Sequence, residues 1–203
     1  EAELSHRKAI ELNPHLAEAH SNLGSILKDL GKLQEAELSH RKAIELKPDL
    51  ANAHSNLGNI LRDLGKLQEA ELSHRKAIEL NPHFANAHSN LGNILKDLGK
   101  LQEAELSQRK AIELNPHLAE AHCNLGSILK DLGKSQEAEL SQRKAIECNP
   151  NLAIAYFSLG NILKASAKFD EALYNFKKAQ QNKMDPKKCI AAIGKVLLNQ
   201  GKH

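Results

Sequence analysis

The sequence repeats itself every 34 residues, and no other feature restricts its fold as strongly. Proline marks the period at Pro14, Pro48, Pro82, Pro116 and Pro150. Five full units follow one another, 17–50, 51–84, 85–118, 119–152 and 153–186, with a half-unit, 1–16, before them and a last segment, 187–203, after them. The units at 51–84 and 85–118 differ only at Arg62 against Lys96, His74 against Gln108 and Phe84 against Leu118. A unit of this size cannot bury its apolar face alone, so neighbours must stack and share one continuous core.

Glycine and proline show what each unit is. Gly24, Gly58, Gly92, Gly126, Gly160 and Gly194 fall in the middle of apolar-periodic stretches, where a missing side chain lets two helices approach closely. Gly31, Gly65, Gly99, Gly133 and Gly201 lie seven residues later and read as left-handed helix C-caps; unit five has Ala167 at that place. The prolines stop the second helix of each unit. Pro186 is displaced by two residues, and the pair Asp185-Pro186 reads as the N-cap and first turn of a final helix. Leu57, Ile60, Leu61 and Leu64 stand at i, i+3, i+4 and i+7, the apolar stripe of a helix over 51–64. The expectation is an all-α chain, an α-solenoid of twelve helices in a single domain over 1–203.

These columns carry a family resemblance. Leu57 and Gly58, then Leu61, Ala70, Ala77 and Pro82, resemble the tetratricopeptide repeat (TPR), and the pattern covers essentially the whole chain. The resemblance implies a right-handed superhelix whose first helices line a concave face. One departure is plain: the first-helix column that the family usually fills with a large aromatic holds His20, His54, His88 and His122.

Eleven histidines invite a metal site. If consecutive helices pack as the family implies, His40 comes near His54 and His74 near His88. Zinc needs three or four convergent ligands, however, and no cysteine or carboxylate recurs with these pairs. Further along the chain the partner of His122 is Gln108, and for unit five the two columns become Tyr156 and Gln142, which are flat, partly polar fillers rather than ligands. The histidine pairs are therefore expected to be buried, neutral and free of metal, and His15, His83 and His117, in the proline turns, exposed. No phosphate-binding loop, HExxH helix or nucleophile elbow is present. Glu37, Arg41 and Glu45, at steps of four, read as a solvated exterior. The expectation is a non-catalytic chain without metal or cofactor.

Composition narrows the partners. With 28 Lys and Arg against 25 Asp and Glu, the net charge of +3 gives little reason to expect nucleic acid or a membrane surface. No apolar run is long enough to span a membrane. Cys123, Cys148 and Cys189 have neither paired nor CxxC spacing, which fits free thiols in a reducing compartment and a cytoplasmic location. The chain begins at Glu1 with no secretory pattern, which suggests a processed product or an excised fragment.

By the resemblance, the second, fifth, sixth, ninth, twelfth and thirteenth columns of each unit face the concave side. The sixth holds Asn22, Asn56, Asn90 and Asn124, with Ser158 ending the run, and the ninth holds Asn59, Asn93 and Asn161 among serines. The twelfth is basic, Lys28, Arg62, Lys96, Lys130 and Lys164; the thirteenth is acidic, Asp29, Asp63, Asp97 and Asp131. An Asn side chain both donates and accepts, so a ladder of them can clasp an extended peptide by its backbone. The Asn-Leu-Gly run is similar to the solenoid of the O-linked N-acetylglucosamine transferases, whose concave asparagines hold substrate backbones. The Lys and Asp columns can equally pair with each other. Another groove of this family captures a C-terminal carboxylate with basic residues; the second column here, Glu18, Asn52, Asn86, Glu120 and Ile154, lacks them.

Three readings follow. The first is a protein- or peptide-binding scaffold, and the second the substrate-docking part of a larger enzyme such as a glycosyltransferase. The third is end-to-end self-association through Leu4 and Leu12 at one end and Val196 and Leu197 at the other.

Overall fold

The computed structural model describes residues 2–201. Among them it contains twelve α-helices and no strand: α1 (Ala2–Leu12), α2 (Ala17–Asp29), α3 (Leu33–Leu46), α4 (Ala51–Asp63), α5 (Leu67–Leu80), α6 (Ala85–Asp97), α7 (Leu101–Leu114), α8 (Ala119–Asp131), α9 (Ser135–Cys148), α10 (Ala153–Ala165), α11 (Phe169–Gln181) and α12 (Pro186–Asn199). The chain divides into two compact units, Glu1–Lys100 with α1–α6 and Leu101–His203 with α7–α12.

In the first unit, α2 packs on α3 and α4 on α5, each pair a helix hairpin closed by a glycine turn. The hairpin works because the first helix offers a bare glycine to a flat side chain of the second. A Cβ built on Gly24 would stand 2.6 Å from the His40 ring, and one on Gly58 would stand 2.6 Å from the His74 ring. In the second unit, Gly126 meets the Gln142 amide and Gly160 the Phe176 ring in the same way. Gly194 departs from the expected close approach: nothing lies within 4 Å of where its Cβ would stand.

Around these contacts the apolar stripes interlock between repeats. Leu23, Leu27 and Ala36 of one repeat pack with Ile60 of the next, and Leu57, Leu61 and Ala70 with Ile94. The second unit repeats the scheme with Leu125, Leu129, Ala138 and Ile162. Its last cluster joins Leu159, Leu163, Ala172 and Phe176 to Ala192 and Val196 of α12. Val196 is fully buried there, so it is core and not the exposed end the sequence suggested; Leu198 and Ile190 are the exposed apolar residues of α12. At the other end, Leu4 and Leu12 are exposed as expected.

The turn glycines all have positive φ, and Gly65, at +76°, shows why: Lys66 N–H bonds back to the Leu61 carbonyl at 2.8 Å, which needs a left-handed residue between. Unit five makes the same turn with Ala167 at φ 56°, with Lys168 N–H bonding to the Leu163 carbonyl. Packing thus holds an alanine in a conformation that its Cβ disfavours. Asp185 caps α12, its carboxylate accepting from the Lys187 N–H at 2.9 Å, with Pro186 in the first turn.

Replacing Gly58 with Ala puts a methyl into the His74 ring and is expected to cost about 1–3 kcal/mol, as overpacking does. Gly194→Ala, in a helix interior with free space, is expected to be neutral or to stabilise by roughly 0.5–1 kcal/mol. Urea unfolding of the two variants measures the contrast, and equal effects would refute the close-approach role.

Candidate functional site

The first helices of the first unit, α2, α4 and α6, are neighbours in sequence order. Each carries the same columns, so each column becomes a row of side chains. Asn22 is exposed, and Asn56, Asn90 and, in the second unit, Asn124 are half-buried. Asn56 Nδ2 donates to Ser25 Oγ at a long 3.4 Å. Asn22, Asn90 and Asn124 make no side-chain hydrogen bond among the described residues. Asn59, Asn93 and Asn161 of the ninth column are half-buried beside them.

The charged columns are occupied differently. Arg62 bonds Asp97 at 2.9 Å, and Lys28 reaches Asp63 at 3.9 Å, so the twelfth column of one repeat pairs with the thirteenth of the next. These pairs are exposed and worth little each, but they occupy groups that a ligand would otherwise contact. At the same spacing in the sequence the counterpart of Asp63 and Asp97 for Lys130 is Ala165, which has no carboxylate. Asp29 is exposed, whereas Lys96 and Asp131 have interactions of their own.

The second helices carry a denser ion-pair system than the solvated exterior the sequence suggested. Glu37 is buried and receives Lys66 at 2.8 Å from the next repeat and Arg41 at 2.9 Å from its own helix; Arg41 also holds Glu69. Burial pushes the Glu37 carboxyl up, but the hydrogen bonds from Lys66 and Arg41 outweigh it and leave the group below its ordinary value. Glu71, between Lys100 and Arg75, behaves alike. Glu45 pairs with Lys42 and not with Arg41. The network staples neighbouring repeats.

The histidines separate into two structural roles. His40 and His74 are fully buried against the first helix of their own hairpin, where His40 Nδ1 lies 3.4 Å from Ser21 Oγ. The other column turns elsewhere: the Nε2–H of His20, His54, His88 and His122 donates to the carbonyl of Pro14, Pro48, Pro82 and Pro116, at 2.9 to 3.1 Å. His40, His54, His74 and His122 are buried as expected, whereas His20 and His88 are half-exposed. Among the described residues no group of three or more His, Cys, Asp or Glu side chains is placed to hold a metal.

Sequence reasoning missed a groove in the second unit, walled by Tyr156 and Tyr174. The signal was available, since these are the only two tyrosines in the chain and both stand in columns that hold His or Leu in the other repeats.

Models of the TPR repeat match residues 24–61, 58–99 and 92–133, and further tetratricopeptide models match 7–37, 119–152 and 142–174. The chain belongs to the tetratricopeptide-repeat family. No curated protein matches the sequence. Among solved structures, YrrB, a TPR protein with an unusual peptide-binding site, is 26% identical with a TM-score of 0.69 and covers 92% of this TPR chain and 96% of its own. MamA is 27% identical with a TM-score of 0.69, covering 79% and 94%. The pilF protein of Pseudomonas aeruginosa is 20% identical with a TM-score of 0.82, covering 91% and 84%, a likeness of fold alone. No described helix of this TPR chain is long and apolar enough to cross a membrane.

The buried imidazoles make stability depend on pH. Burial, reinforced by the positive charges of Lys28 and Arg62, pushes His40 and His74 down to about 4. In the unfolded chain they take up a proton near pH 6.5, so stability falls as pH drops from about 6.5 to about 4 and no further on their account. The carboxylates Glu37 and Glu71, held low, lose their contribution only below about 4.5. Gln142 shows a replacement that does not titrate: its Nε2 donates to the Cys123 carbonyl at 2.9 Å. The double variant His40→Gln/His74→Gln is expected to flatten the loss between pH 7 and pH 5.5, about 1 kcal/mol per histidine. Denaturant melts at the two pH values test it; an unchanged slope would place the titration elsewhere.

Proposed function

We propose that this TPR array is a non-catalytic scaffold that holds an extended polypeptide along its first helices, with the sixth-column asparagines gripping the partner's main chain. The observation that carries the reading is the contrast between neighbouring columns. Two pairs form between the Lys/Arg and Asp columns, Arg62 with Asp97 and Lys28 with Asp63. The carboxamides of Asn22, Asn90 and Asn124 are uncommitted, and that of Asn56 makes one long bond. Each uncommitted carboxamide offers one acceptor and two donors, the complement of a peptide unit. Because the repeats are near copies, the same groups recur at each step, which suits recognition of backbone rather than of side chains. Asn59, Asn93 and Asn161 add polar contacts beside the column.

YrrB, similar over nearly the whole chain, is a TPR protein with an unusual peptide-binding site, which supports a polypeptide as the ligand class. The location proposed is the cytoplasm, on the three free thiols. The Asn-Leu-Gly run keeps one alternative in view, a substrate-docking array serving a larger enzyme. In that case the same asparagines act, and the partner is a substrate.

The test replaces Asn22, Asn56, Asn90 and Asn124 with Ala together and measures binding of peptides selected on the native protein from a randomised library. Each rung is expected to contribute about 1 kcal/mol, so affinity should fall by a factor of about 100 or more even if the rungs are not additive. Undiminished affinity in a folded variant would show that the column only echoes repeat duplication.

A further inference from the structure

Outside the first-helix columns, the second helices form grooves over the first helix between them, and one of these grooves differs from its counterpart. In the second unit, α9 and α11 flank α10 around a cavity of about 640 Å³ whose wall includes Tyr156, Asp170, Tyr174 and Asn175. The groove at the same register of the first unit, between α3 and α5, measures about 470 Å³ and has His54, Leu72, Ser73 and Lys76 in its wall. Four wall positions therefore differ at the same register, Tyr156 for His54, Asp170 for Gln68, Tyr174 for Leu72 and Asn175 for Ser73. Lys178, the counterpart of Lys76, sits instead with its Nζ 5.7 Å from the centroid of the Tyr174 ring.

The polar groups of this cavity are unevenly satisfied. Glu147 is held by Lys144 at 2.6 Å, and Glu171 by Arg143 at 2.9 Å. Asp170 accepts a hydrogen bond from the neutral Gln200 amide at 3.0 Å and has no cationic partner among the described residues. Asn175 is only 4% exposed; its Nδ2 donates to the Glu171 carbonyl at 2.8 Å, while its Oδ1 receives no hydrogen bond among the described residues. Neither tyrosine hydroxyl is hydrogen-bonded among them.

Two aromatic walls, a carboxylate without a cationic partner and a carboxamide oxygen without a donor together select a ligand. An anion meets Glu147, Asp170 and Glu171 against one lining cation, Arg143, which Glu139 and Glu171 already hold. An apolar side chain would take Asp170 and Asn175 Oδ1 out of water without giving either a new donor, which is costly. A cation with several N–H groups on an aliphatic stem meets every demand: charge for Asp170, a donor for Asn175, and a π-face on which to lie. The guanidinium suits this better than an ammonium, because it is planar, stacks on aromatic rings and donates in several directions at once. We infer that the groove between α9 and α11 is a binding site for an arginine side chain of a partner polypeptide, distinct from the asparagine column.

The chain supplies its own reporter. Tyr156 and Tyr174 are its only tyrosines and it has no tryptophan, so intrinsic fluorescence reads this groove alone. The probes are the acetylated, amidated pentapeptide Gly-Ser-Arg-Ser-Gly and its analogue with uncharged citrulline in place of arginine, titrated into the millimolar range. A saturable change in tyrosine emission is expected with the arginine peptide, and binding about tenfold weaker with citrulline. Asp170→Asn, which keeps an acceptor for Gln200, should weaken the arginine peptide by about tenfold with unchanged helical circular dichroism. Tyr174→Leu, which restores the residue of the other repeats, should do likewise, with Tyr156 still reporting. The quadruple Asn→Ala variant should bind the arginine peptide as the native protein does. No saturable response, equal binding of the two peptides, an Asp170→Asn variant of native affinity, or loss of the response in the quadruple variant would each overturn the assignment.

Discussion

Each hairpin depends on one contact, a glycine of the first helix set against a flat side chain of the second. Gly24 on His40, Gly58 on His74, Gly126 on Gln142 and Gly160 on Phe176 leave no room for even a methyl group. That distance fixes how the two helices cross, and the crossing decides which residues of the first helix turn inward. Leu57 and Leu61 then reach Ala70 and Ile94, and the sixth and ninth columns are left on the open side. The contact tolerates imidazole, carboxamide and phenyl alike, so it requires shape more than chemistry. The cost falls on polar atoms: both nitrogens of His74 are buried without a partner among the described residues.

Within each unit, apolar clusters join neighbouring repeats, and ion pairs add to them. Glu37 links its own helix through Arg41 to the next repeat through Lys66, and Glu105 and Glu139 do the same through Lys134 and Lys168 in the second unit. A single exposed pair contributes little. These carboxylates are shielded, share two cations each and recur at every step, which suits a fold whose stability is a sum of neighbour terms. The histidine column adds a latch of a different kind. His54 ties α4 to the Pro48 carbonyl, so a polar ring occupies the column where the family places an aromatic, and it also anchors the preceding turn.

The sequence made the helices legible because glycine and proline act locally. A turn such as Gly65, or a cap such as Asp185, is written in the residues that form it. Ala167 followed from alignment within the chain, since its neighbours force the conformation of the missing glycine. Which surface a column faces was harder to read. His40 and His54 recur with the same period, and periodicity cannot say whether they meet each other or turn to separate partners. Glu37 looked solvated because its helix is charged, yet Lys66 arrives from another repeat and covers it. Val196 looked exposed because it stands outside the five full units, although it packs inward on the hairpin before it. The tyrosine groove was visible as two substitutions, but its meaning required knowing that Asp170 and Asn175 share the same wall.

The claim that the asparagine column grips a main chain is tested most directly by the side-chain amide resonances of Asn22, Asn56 and Asn90 in ¹⁵N-labelled protein. The titrant is a pool of randomised peptides about ten residues long, the length that roughly three-residue steps between rungs would span. Gripping of the backbone predicts that the three amide pairs shift together, with one apparent affinity and little dependence on the composition of the pool. Stationary asparagine amides, while other resonances of the protein respond to the same peptides, would contradict it.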